Sequence, residues 1–474
     1  MGRAAGPALH DNRRVERLGP LHDASFRKLF AAQVVALIGS GLATVAMTLL
    51  AYDLAAGNAA AVLGTALACK MVAYVVFAPI AGGLSHRFRR KGFLVAMDLV
   101  RAVLVLAMPF ATEAWHLYLL IFLLSVFSAG FKPVYAATIP DILPEERRYT
   151  RALAMSRLAY DLENVLSPTL AAIALLYVSY TGLFVGNAVA FLVSAALILA
   201  TLLPTTRPVS RPGAIADEIS FGIRSYLKTP RLRGLLALYM GVASASAMII
   251  VNTVNYVRDY LGGTESDVAI ALAASGGGSM VAAIGLPKVL DRIDDRPVML
   301  SGALVMAAGL GLLATGPAHP WVWPVWFLIG FGWSLVQTPA GRVVNRSSAP
   351  ADRPAYFSAQ FALSHACWLV SYPVAGQLGT HLGVPATALA LGFGVLVFAA
   401  LATSLWPKHD PEVLPHTHAE LVHDHLHGHG PDDHHDHEAR GADEPHSHKH
   451  RHRATRHAHR FVIDDHHTHW PRPG

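Results

Sequence analysis

The sequence predicts an all-α polytopic membrane protein: twelve transmembrane helices in two pseudo-symmetric six-helix halves, followed by a disordered His-rich tail. Three observations predict it. Hydrophobic residues make up 53% of the 474 residues and charged ones only 15%, against roughly 25% charged in soluble proteins. Apolar stretches of about 20 residues recur between 27 and 406, each able to cross a hydrocarbon layer ~30 Å thick at ~1.5 Å per residue. The third observation is an internal repeat, described below.

Residues 1–25 carry Arg3, Arg13, Arg14 and Arg17 but no apolar core. They read as a cytoplasmic segment leading into a retained first span, not as a cleavable signal. The first half, 26–203, holds spans near 29–52, 61–84, 93–111, 115–138, 152–177 and 181–203. A polar cytoplasmic linker covers 204–232. The second half, 233–406, holds spans near 233–256, 268–289, 297–316, 321–341, 355–378 and 383–406. Residues 407–474 form the tail. Cys69 and Cys367 both fall inside spans, which gives no support for a disulfide framework.

Basic residues alternate from loop to loop. One set of loops holds Arg87, Arg89, Arg90 and Lys91, then Arg147, Arg148 and Arg151, then Arg224, Lys228 and Arg231, then Arg292 and Arg296, then Arg346 and Arg353; the opposite set holds little beyond Arg258. By the positive-inside rule the first set is cytoplasmic, together with both termini. Charge spent this way does not point to nucleic acid; the expected partner is the lipid bilayer.

The repeat has a nearly constant offset. Pro133 and Pro339, Pro144 and Pro350, and Arg147 and Arg353 are each 206 apart; His86-Arg87 precedes Asp291-Arg292 by 205, as Pro168 precedes Pro373. Parallel six-span repeats of this kind place a substrate site at their interface, near the bilayer midplane.

The stretch Gly82-Gly83-Leu84-Ser85-His86-Arg87-Phe88-Arg89-Arg90-Lys91 is similar to the loop motif G-x-L-a-D-r-x-G-r-K of the major facilitator superfamily. His86 stands where Asp is usual and Arg89 where Gly is usual; the second copy restores the acid at Asp291, followed by Arg292. With the twelve spans, this resemblance covers 25–406, and it implies a transporter in which the motif is a charge latch on the cytoplasmic side. The segments Ala51-Tyr52-Asp53-Leu54, Ile139-Pro140-Asp141-Ile142-Leu143-Pro144 and Ser156-Arg157-Leu158-Ala159-Tyr160-Asp161-Leu162-Glu163, with the His-rich end, resemble nickel-resistance exporters of the NreB type. That resemblance implies export of nickel, and of cobalt as a second metal.

Ionisable residues within spans cost at least ~2.5–3.5 kcal/mol at the bilayer centre and are functional candidates. In the fifth span Arg157 and Asp161 are four apart, with Asn164 and Pro168 continuing the stripe; they are a structural ion pair or a working one. Asp161 is the preferred proton or metal carrier. Glu163 follows, turned roughly 200° away on a helix of ~3.6 residues per turn. In the eleventh span His365 is a transient ligand, a proton acceptor or a neutral hydrogen-bonded side chain. Asn252 and Asn255 offer oxygen ligands or interhelical hydrogen bonds. Lys70 and Lys132 repel or gate a cation, or neutralise a neighbouring carboxylate. Asp98 and Arg101 are expected to serve the loop latch.

The sequence lacks G-x-x-x-x-G-K-[ST], so ATP is not expected to drive this chain directly, and neither an enzyme nor a resident cofactor is predicted. Exchange of a divalent metal for protons suits carboxylates and an imidazole within the spans. The tail holds 19 of the 26 histidines. His416, His418, His423, His425, His427, His429, His434, His435, His437, His446, His448, His450 and His452 are the candidate metal ligands, interleaved with acids; selectivity is expected to be poor, with nickel, copper, zinc and cobalt all binding in roughly the Irving–Williams order. Few large apolar residues accompany them, so the tail is expected to stay unfolded and to sweep the cavity mouth. Two other readings stand beside metal export: efflux of organic compounds or siderophores, and a membrane-anchored metal sensor or store.

Overall fold

A computed structural model describes residues 19–54, 59–204, 215–411, 413–418, 421–427, 446–452, 455–464 and 467–471. The first half consists of α1 (Ala24–Leu54), α2 (Ala59–Leu84), α3 (Arg90–Ala107), α4 (Ala114–Ile142), α5 (Glu146–Leu175) and α6 (Tyr180–Leu199). A linker helix, α7 (Ile215–Lys228), leads to the second half: α8 (Pro230–Val254), α9 (Glu265–Leu290), α10 (Asp295–Ala314), α11 (Val322–Arg346), α12 (Arg353–Leu382) and α13 (Val384–Leu405). A helix covers each of the twelve expected spans. Their ends run past the apolar stretches where polar residues continue the helix: α5 starts at Glu146, so Arg147, Arg148 and Arg151 lie on its first turns.

Among the described helices, nine are long and apolar enough to cross a membrane by composition alone. The long helices outside that set are α5, α11 and α12. They carry Arg157, Asp161 and Glu163; Gln337, Arg342 and Arg346; and Gln360 and His365. These are also the helices along which the halves meet, with α5 on α9 and α11, and α12 on α2 and α4. Their polar positions are accommodated because much of each helix faces protein instead of lipid. Apolar packing within the halves joins α1 and α3 to α6, and α9 and α10 to α11.

The linker was expected as a polar connection; part of it is helical. In α7 the buried residues Glu218, Phe221, Gly222, Ser225 and Tyr226 recur at i, i+3, i+4, i+7 and i+8, the stripe of an amphipathic helix. That stripe lies on both α2 and α12, so α7 spans the two halves at the face bearing the basic loops, hereafter the basic face.

The tail also differs from expectation. Strand β1 (Val413–His418) pairs antiparallel with β4 (Thr455–Arg460), and β2 (Leu421–His427) with β3 (His446–His452). Backbone pairing needs no apolar core, so the polar composition that forbids a globular fold does not forbid a ribbon. After β4 the chain is anchored: Phe461, Val462 and Ile463 are buried. Averaged composition hides this short apolar cluster.

Candidate functional site between the two halves

At the basic face, charge ties the halves together. Arg87 Nη2 lies 2.9 Å from Glu218 Oε2 and His86 Nε2 lies 3.6 Å from it, while His86 Nδ1 donates to the Gly83 carbonyl at 2.7 Å. Glu218 of α7 thus supplies an acid beside the motif position where His86 replaces one. Gly83 is required for this: a Cβ there would stand 2.6 Å from Ile219 Cα on α7. At Gly82 a Cβ would collide with Ser358 on α12.

Arg90 and Arg353, from opposite halves, both hydrogen-bond Asp141. Arg342 reaches across to Glu146 and to Thr150 Oγ1 (2.9 Å), and to Asp295 (3.1 Å) in its own half. Arg147 lies 3.5 Å from Asp291 across the interface. The repeat-related arginines, Arg147 and Arg353, therefore both bridge the halves. Lys91 is half-buried and Arg292 exposed at this face. Asp98 and Arg101 do not join the latch: they pair with each other, Ser194 Oγ donates to Asp98 at 2.8 Å, and the guanidinium lies 4.0 and 4.4 Å from the Phe131 and Phe191 rings. Buried inside the first half, they hold α3 to α4 and α6.

Above this closure lies a cavity of about 530 Å³, lined by α5, α8, α9 and α11. Its walls include Arg157, Asp161, Ile249, Ile250, Ser279 and Trp333, and it continues to Thr169 and Ala269, toward the face away from the basic loops. The Arg157–Asp161 pair lies within α5 and is hydrogen-bonded by Ser279 and Gln337 of the other half. Arg157 Nη2 is 2.9 Å from Asp161 Oδ1, and Ser279 Oγ donates to Asp161 Oδ2 at 2.6 Å. Arg157 also donates to Ser279 Oγ (3.0 Å) and Gln337 Oε1 (2.7 Å), with its guanidinium 5.3 Å from the Trp333 ring. Both members of the pair therefore touch the second half through Ser279, and Arg157 also through Gln337.

Glu163 faces elsewhere. It lies beside Gly41 of α1 and within electrostatic reach of Lys132 and Lys70. Lys132 Nζ is 3.3 Å from the Tyr74 hydroxyl and 5.2 Å from its ring, and Lys70 Nζ is 5.8 Å from the same ring. The Tyr74 ring packs on His365 (4.9 Å) and Phe361 (5.0 Å) of α12, and His365 packs on Trp368 (5.1 Å). His365 Nδ1 lies 2.7 Å from the Phe361 carbonyl, which can only accept, so Nδ1 carries the proton and Nε2 is the nitrogen left for a ligand.

Asn252 is not on the cavity wall. It is fully buried and its Nδ2 donates to the Ala375 carbonyl at 3.1 Å, joining α8 to α12. Asn255 is exposed where α8 passes into a π-helical turn, Asn255–Tyr260. The side chains of Asn164 and Pro168 lie outside the described ones. Sequence reading missed Tyr74, Glu218, Ser279, Trp333 and Gln337. Tyr74 follows Lys70 by one helical turn, a signal that was available; for Ser279 and Gln337 nothing local distinguishes them from packing residues.

In the ribbons, the backbone register sets His423 opposite His450, His425 opposite His448, His427 opposite His446, and His416 opposite His457. His418 lies opposite Thr455 and His452 opposite Leu421. His429, His434, His435 and His437 lie outside the described residues. No group of three or more His, Cys, Asp or Glu side chains placed to hold a metal ion occurs among the described residues. Beyond β4, the Tyr356 hydroxyl donates to the Ile463 carbonyl at 2.7 Å, Arg460 donates to the Asn345 carbonyl at 2.9 Å, and Arg231 lies 5.1 Å from the Trp470 ring. His467 is buried, with Nδ1 2.9 Å from Asp464 Oδ1 and its ring 4.7 Å from Phe461. At the tail's start, Asp410 pairs with Arg231 (3.0 Å) and Arg346 (2.7 Å). Both ends of the histidine segment are therefore held on the second half.

A family model described as Major Facilitator Superfamily matches residues 29–252 and 235–428. The MFS-type transporter YfiS of Bacillus subtilis is 25% identical over 408 residues, covering 80% of this chain and 92% of that protein. The multidrug efflux pump Tap of Mycobacterium bovis is 24% identical, covering 82% and 95%. The human organic anion transporter MFSD10 shares the fold with a TM-score of 0.70 at 12% identity, over 80% of this chain and 99% of that one.

Proposed function

Since the chain belongs to the major facilitator superfamily, we propose that it is a secondary active exporter of a divalent metal, nickel with cobalt as a second cargo, driven by protons. The observation that carries the metal reading is the histidine segment: 19 of 26 histidines follow the last span, fastened to the basic face at both ends. In this reading the protein sits in a bacterial inner membrane with the basic face and both termini in the cytoplasm, as the loop charges suggest. The tail gathers metal from the cytoplasm and holds it beneath the latch.

Release of the pairs at Asp141, Glu146 and Asp291 opens the basic face, and cargo enters between the halves. Re-formation of the latch leaves the cavity facing the other side. Moving a divalent cation outward against an inside-negative potential costs ~2.3 kcal/mol per charge per 100 mV, and exchange for two protons removes that electrical cost. In this reading Asp161 is the carboxylate that exchanges, since a proton on it removes the charge that Arg157 pairs with.

A second reading, efflux of organic compounds, is favoured by the apolar wall of Ile249, Ile250 and Leu272 and by relatives named as drug efflux pumps. Growth of cells with and without this chain under graded nickel, cobalt, zinc and copper, with cytosolic metal quantified, separates them. Metal export predicts lower cytosolic nickel and growth at higher nickel. Unchanged nickel with altered tolerance to organic compounds favours the second reading.

A further inference from the structure

Among the described residues, Lys70 and Lys132 have no carboxylate within 4 Å, although both lie inside membrane-spanning helices. Each is half-buried. Both lie against Tyr74, Lys132 at its hydroxyl and ring and Lys70 at its ring. Glu163 is the acid within electrostatic reach of both. Two ammonium charges against one carboxylate leave one excess positive charge at mid-membrane, where an uncompensated lysine costs at least ~2.5–3.5 kcal/mol. The Arg157–Asp161 pair is internally balanced and does not offset it.

The cluster lies between the halves, because Tyr74 of α2 touches Phe361 and His365 of α12 while Lys132 comes from α4. A bare dication is repelled there, and among the described residues no group of three His, Cys, Asp or Glu side chains surrounds the His365 nitrogen left for a ligand. Beside the charges stands the Tyr74 ring, with Phe361 and His365 packed against it and Trp368 against His365, an aromatic cluster that suits a planar organic group.

We propose that Lys70 and Lys132 form an anion-binding subsite, and that the cargo crosses as a carboxylate-bearing, partly aromatic organic acid, alone or holding the divalent metal as its chelate. The metal-bearing form rests on the export reading above; the anion subsite does not. A carboxylate between the two ammonium groups supplies the missing counter-charge, and the aromatic walls take the ring. Glu163 limits the excess to a single charge, so the acid can leave again once the halves rearrange.

The test uses the full chain and 1-hydroxy-2-naphthoate, an aromatic acid that chelates divalent metal, against its neutral amide. Binding is read by tryptophan fluorescence, and flux in proteoliposomes is read with nickel, with the acid, and with both. The expected result is at least tenfold tighter binding of the acid than the amide, with the preference falling below about twofold in Lys70→Gln and in Lys132→Gln. Lys70→Arg, which keeps the charge, retains the preference. Equal binding of acid and amide, binding of neither, or a preference untouched by the lysine exchanges overturns the proposal. Nickel flux that needs no organic acid and ignores both lysines also overturns it while leaving metal export intact. Acid binding and acid flux that depend on the lysines, without nickel flux in any form, keep the subsite and remove the metal reading.

Discussion

Replacing Asp141 by Asn should open the basic face. Its carboxylate is 5% exposed and receives Arg90 from its own half and Arg353 from the other. The bond to Arg353 is the one lost when the halves part. A hydrogen bond to a charged group is worth about 1.5–3 kcal/mol, and every ~1.4 kcal/mol is tenfold, so the open-to-closed ratio should rise roughly 10- to 150-fold. Spin labels at Phe88→Cys and Ile293→Cys, exposed positions on opposite halves, with Cys69 and Cys367 replaced, report the distance across this face. A double-mutant cycle of Asp141→Asn with Arg353→Gln isolates the pair. A coupling of about 1.5–3 kcal/mol is expected; Arg90→Gln, which leaves the crossing bond intact, should move the distribution much less. A coupling under about 0.5 kcal/mol, within the usual error of additivity, would refute the latch reasoning.

Gly83→Val should act on the same equilibrium from another side: it displaces α7 from α2, pulls Glu218 from Arg87, and shifts the same distance distribution toward open. Ser279→Ala deletes the 2.6 Å bond to Asp161 and should slow transport about tenfold without changing assembly, measured as initial flux in proteoliposomes. Phe461→Ala removes a ring that is 3% exposed; losing a buried aromatic costs ~3–5 kcal/mol locally, enough to undock the tail end. Limited proteolysis should then cut within 455–471 while the melting of the helical bundle stays unchanged.

The twelve spans were legible because bilayer crossing imposes length and apolarity, and because Pro133, Pro339, Arg147 and Arg353 mark the repeat. The helical stripe also separated Asp161 from Glu163: in the structure the first meets Ser279 of the second half and the second lies beside Gly41 of the first. What stayed hidden depends on neighbours far along the chain. Glu218 completes the loop motif from 131 residues away, a pairing that no local pattern announces. Asn252 reads from sequence as an oxygen ligand or an interhelical hydrogen bond, and only the turn of α8 that aims it at Ala375 decides for the second. The α7 stripe escaped notice because Glu, Gly and Ser sit on its buried face. The docked tail end escaped because three apolar residues vanish in an average over a polar segment.

The most direct measurement is nickel flux by the purified full chain in inside-out proteoliposomes with an acidic lumen, with and without the chelating acid. Accumulation should rise with the pH gradient, collapse when the gradient is dissipated, and fall sharply in Asp161→Asn. Failure to move nickel in either form under any imposed gradient would contradict metal export through this cavity.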